Sequence, residues 1–83
     1  MITIQADFNH MDSNGRLLLE DIAMHRNTPF GEIAANRERV IFVDGTDLVE
    51  GRLVADPAHG WVGEADWGTQ GVWESHPAQA AAR

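Results

Sequence analysis

Asp7, His10, Asp12 and Asp21 fall within one short stretch, "DFNHMDSNGRLLLED", around an Asp-Ser-Asn-Gly core. Carboxylates and an imidazole this close together are the raw material of a metal site. Placing Gly15 at the sixth position of a calcium loop, where the sharp turn falls, puts Asp12 at the third and Asn14 at the fifth. The fit fails at the ends. The first position becomes His10, a nitrogen donor where a hard cation wants carboxylate. The twelfth becomes Asp21, whose arm is short for a bidentate contact. A calcium loop also sits between helices, whereas "MITIQADF" alternates with period two and "GRLLL" reads as a strand. Asp, Ser, Asn and Gly are also the residues that a tight turn needs, through side-chain to backbone bonds and a positive φ at glycine. The stretch therefore reads as a turn between strands. Asp7, His10 and Asp12 are its weak candidates for a metal, and no cofactor is expected.

Other chemistries find less. His10, His25, His59 and His76 lack the i, i+4 spacing of a helical zinc pair. Ser13 and Ser75 are the only serines; Ser13 lies in the turn, and Ser75 adjoins His76 in a segment with little to hold a triad's geometry. With no cysteine there is no thiol nucleophile, thiolate metal site or disulfide. With no lysine there is no Schiff base, and "GTQG" lacks the context of a phosphate loop. The expectation is a protein without enzymatic activity.

Charge narrows the partners. Six arginines against thirteen acidic residues give a net charge of −7. Binding nucleic acid requires cations to displace counterions from phosphate, and scattered arginines make no basic stripe. An anionic membrane surface is disfavoured for the same reason. Apolar runs of about four residues are too short to span a bilayer. No signal sequence is visible, and the chain reads as cytoplasmic.

The tryptophans carry the sharper signal. Trp61, Trp67 and Trp73 are spaced six apart, so Trp61 and Trp67 share one face of a strand. Trp61 reads as core filling. Trp67 and Trp73, with Val72 and Phe30, read as an interface or ligand surface, because aromatics near the end of a folded region make natural anchors.

These residues need elements to position them. Ile2, Ile4, Ala6 and Phe8 line one face of a first strand, with Thr3, Gln5 and Asp7 on the other. A second strand runs from Arg16 to about Glu20. Thr28 as N-cap, Pro29 at the first helical position and Asn36 as a stop allow at most two turns of helix. Val40–Val43, Asp44-Gly45 and Leu48–Ala55 form a hairpin. Its register stays open: a two-residue loop pairs Ile41 with Leu48, and a four-residue loop pairs Val43 with Leu48. Trp61 to Trp67 is the fifth strand, and Val72-Trp73 could extend the sheet edge. The fold class is all-β, a small five-stranded barrel, SH3-like or similar, with at most one short helix. Residues 1–75 make one small β domain, and 76–83 a disordered Ala-rich tail.

Ala6-Asp7-Phe8-Asn9, Asp12, Gly15-Arg16 and Leu19, the "RVIFVDGTDLVEGRLV" hairpin and the closing "EADW" together resemble a set of short bacterial β proteins. The resemblance spans about residues 2–67. It implies a small bacterial β protein, with no activity, cofactor or partner to carry over.

The expected function is protein interaction or self-assembly, as a homo-oligomer or with a protein partner. Alternatives are a barrel that binds a cationic or apolar small molecule with tryptophans at its mouth, and an acidic mimic of nucleic acid.

Overall fold

The computed structural model describes residues 2–19, 24–25 and 28–72. Strand β1 (Ile2–Gln5) leads to β2 (Leu17–Leu18), and β3 (Met24–His25) and β4 (Thr28–Pro29) form a small separate ladder. Helix α1 (Phe30–Ala35) precedes three longer strands, β5 (Val40–Asp44), β6 (Asp47–Asp56) and β7 (Gly60–Val72). Five strands form one sheet in the order β1-β5-β6-β7-β2, curled into a half-barrel around the core. The five strands and short helix expected from the pattern are thus all present, and the architecture is all-β.

Alternation in β1 resolves as expected. Ile4 is buried, Ile2, Ala6 and Phe8 pack against the core, and Thr3 and Gln5 face solvent. The strand is shorter than residues 2–8, although Ala6 continues the ladder by donating its N–H to Val43 O at 2.9 Å. β1 pairs with β5 in parallel, Ile2 opposite Val40 and Ile4 opposite Phe42. Parallel pairing needs a crossover, here supplied by residues 6–39, which include α1.

The hairpin register pairs Val43 with Leu48 and Asp44 with Asp47. The turn is therefore Gly45-Thr46, with Gly45 at φ 61°. A positive φ at the first central residue alone is the pattern of a type II′ turn, which suits the twist of the strands.

Two glycines let the sheet curl. A Cβ on Gly51 would collide with the Glu64 carbonyl oxygen, and one on Gly63 would lie 2.6 Å from Cζ of Phe42. Backbone approach at the first and ring packing at the second leave no room for a side chain. Phe42, Val40, Val49, Leu17, Leu19, Phe30 and Ile33 fill the space inside.

Helix α1 starts one residue after the position expected for Pro29. Pro29 is the N-cap, with φ −62° and ψ 146°, and no side chain caps the helix there. Asn36 is the C-cap. Arg37 then adopts φ 55°, donating its N–H to Ala34 O, while Glu38 donates to Ile33 O. This is a Schellman ending with arginine where glycine is usual.

Candidate functional site

The Asp12–Gly15 turn is built by its own carboxylate. Asp12 Oδ1 accepts N–H bonds from Asn14 (2.9 Å) and Arg16 (2.8 Å), and Oδ2 meets Arg16 Nε at 2.7 Å. Gly15, at φ 78°, closes the turn by donating to Asp12 O. The Arg16 backbone N–H, followed by its guanidinium and the Asn14 N–H, holds the Asp12 carboxyl below its ordinary range. Arg16 also reaches Asp56 Oδ1 at 3.2 Å, and Asp56 Oδ2 accepts the N–H groups of Ala58 (3.2 Å) and His59 (3.0 Å). One guanidinium thus clasps two turns. Asp7 spends an oxygen on the N–H of Asn9, 2.9 Å away. Among the described residues no three His, Asp or Glu side chains converge as metal ligands.

The interface candidates separate. Phe30 is wholly buried in the core, edge-to-face with Trp61 at 6.0 Å between ring centroids. It opens α1 and points inward with Ile33 three residues on, so it cannot touch a partner, and the expectation for it is corrected. Trp67 is half-buried; its ring meets Phe8 edge-to-face at 5.6 Å, and its indole N–H donates to Gly15 O at 3.3 Å. It fastens the middle of β7 to the turn. Val72 is 41% exposed and ends β7. Trp73 lies outside the described residues, as do Asp21, Ser75, His76 and the tail.

Strand β7 is irregular where the tryptophan clasp sits. Leu48 pairs with Gly71 but Glu50 pairs with Asp66, so the register shifts between them. Thr69 fills the gap: its hydroxyl accepts the Glu50 N–H at 2.9 Å and donates to Asp66 O at 2.7 Å. On its other side β7 pairs with β2 through Val62 and Gly63, and Leu19 donates its N–H to Trp61 O at 3.0 Å.

Beside β7 lies a groove of about 520 Å³, bordered by Asn14, Gly15 and Arg16 on the turn side and by Glu64, Ala65, Asp66 and Trp67 on β7. Arg39 and Arg52 also border it. Arg39 faces Glu50 at 3.4 Å and Asp66 at 3.7 Å. Sequence reading missed this gathering because arginines at 16, 39 and 52 look scattered until the strand register aligns them. No helix among the described residues is long and apolar enough to cross a membrane.

Compared with known proteins, the chain matches no family model, no curated protein and no solved structure.

Proposed function

We propose that the chain is a non-enzymatic interaction module that pairs with a second copy of itself through the outer edge of β7, from Thr69 to Gly71. The observation that carries this reading is a mismatch of length: β7 runs thirteen residues, and among the described residues its ladder with β2 covers two of them, with one further backbone bond from Leu19 to Trp61 O. A strand edge of this kind offers N–H and C=O groups to another chain, and proteins usually guard such edges with lysine, proline or a covering element. The sequence has no lysine, and β7 contains no proline. A two-fold axis, the commonest symmetry of soluble oligomers, lets each copy cover the other's edge. Trp67, held by Phe8 and Gly15, stands just before this stretch.

The nucleic-acid mimic has less behind it. Asp12, Glu50, Asp56 and Asp66 face arginines instead of forming an array of free carboxylates. The resemblance to short bacterial proteins, and a domain that needs no oxidising compartment for disulfides, fit a bacterial cytoplasmic setting.

Light scattering of the full chain at about 100 μM tests the reading, with a mass of twice the monomer or more expected. Gln70→Lys should shift the mass toward monomer with the circular dichroism unchanged. A wild-type chain that stays monomeric at that concentration overturns it.

A further inference from the structure

We propose that the groove beside Trp67 binds a small zwitterion carrying a carboxylate, an ammonium and an aromatic group, the chemistry of a free aromatic α-amino acid. The argument begins with the sheet register. Val40 lies opposite Gly51, Gly51 opposite Ala65, and Leu17 opposite Gly63. Carried one residue further, Arg39, Arg52, Glu64 and Arg16 form a single row across four neighbouring chain segments, and all four border the groove.

The members of that row are not equally free. Arg16 is committed to Asp12 and Asp56, and Arg39 to Glu50 and Asp66. Arg52 and Glu64, paired in register, are both exposed, and neither enters an ion pair among the described residues. Directly opposed side chains start roughly 5 Å apart at Cβ, so one unspent cation sits next to one unspent anion. An exposed Arg–Glu contact is worth little, so a ligand can displace any transient pairing between them.

A ligand with one charge satisfies one of these groups and is repelled by the other. A zwitterion satisfies both, its carboxylate on the Arg52 guanidinium and its ammonium on the Glu64 carboxylate. Trp67 also borders the groove, its ring fixed by its bond to Gly15 O and its contact with Phe8. The volume, about 520 Å³, lies within the range of small-molecule sites.

The test is an NMR titration of the ¹⁵N-labelled full chain with L-phenylalanine, phenylacetate and phenethylamine. Saturable shifts are expected at Arg52 Nε–H and Trp67 Nε1–H with L-phenylalanine. Phenylacetate and phenethylamine, each lacking one charge, should bind about tenfold more weakly, as loss of one charge-assisted contact implies. Arg52→Gln and Glu64→Gln should each weaken L-phenylalanine by about tenfold, while the amide spectrum shows an intact fold. Glu64→Gln should not weaken phenylacetate. The proposal is overturned if L-phenylalanine gives no saturable shift up to roughly 20 mM. It is equally overturned if phenylacetate binds as tightly as L-phenylalanine, or if both substitutions leave binding unchanged. Ligand shifts and solution mass are separate readouts, so failure here leaves self-association through Thr69–Gly71 to stand or fall alone.

Discussion

Two stretches of β7 carry the same pair of residue types and use them differently. Near its start Trp61 meets Phe30, which is wholly buried in the core, and β2 covers the strand's outer side. At mid-strand Trp67 meets Phe8, which is half-buried, and the outer side carries no ladder among the described residues. The first aromatic pair fills the core. The second works as a clasp, joining the middle of a long strand to a loop through one indole N–H. Identical chemistry at a spacing of six thus serves burial at the first position and attachment at the second.

The contrast can be broken most severely at the covered half. Gly51→Ala places a methyl group against the Glu64 carbonyl oxygen, a backbone atom that cannot rotate away. We expect a loss of about 3 kcal/mol or more, enough to depopulate a small domain, visible as loss of the cooperative thermal transition. Phe30→Ala should cost about 3–5 kcal/mol by urea denaturation, and Phe8→Ala only ~1–2 kcal/mol because its site is partly solvated. Equal costs would show that both pairs are core. Trp67→Phe keeps an aromatic ring but removes the donor to Gly15 O, with an expected cost of about 1 kcal/mol. Its signature should be local: faster amide exchange in residues 12–16, with the Trp61 end unchanged.

Acid sharpens the comparison least but addresses the clasp directly. The Asp12 carboxyl is held below its ordinary range by the Arg16 N–H and guanidinium and the Asn14 N–H. A group whose folded value is depressed contributes stability that is complete above its unfolded value, near pH 4, and fades as pH falls toward the depressed one. The wild-type thermal midpoint should therefore drop below about pH 4, and Asp12→Asn should flatten that part of the profile. An unchanged profile in the variant would assign the acid sensitivity to other carboxylates.

Local signals made much of the fold legible. Period-two alternation placed Ile2, Ile4, Ala6 and Phe8 inward, and Asp-Ser-Asn-Gly announced a turn that its own side chains build. What the sequence hid was non-local. Nothing near Ile2 says that its partner is Val40, because a parallel pair has no connecting hairpin to mark it. The register shift between Leu48 and Glu50 depends on one hydroxyl, Thr69, standing in for a backbone partner. Phe30 looked available because a six-residue helix shows too little periodicity to reveal which side it buries. The groove was invisible for a similar reason: Arg16, Arg39, Arg52 and Glu64 become neighbours only after three strand registers are set.

The parallel pairing of β1 with β5 also constrains the order in which the molecule can assemble. β5, β6 and β7 are joined by short turns and can zip together from contacts close in sequence. β1 cannot join by any local step, since the ladder from Ile2 to Val40 must close a loop that includes the turn at Asp12 and helix α1. β1 is thus placed late, after the meander has formed the edge that receives it. Substitutions in β1 should then act on the unfolding rate, and substitutions in the β5–β6 hairpin on the folding rate. Chain order and order of assembly would run opposite ways for this strand.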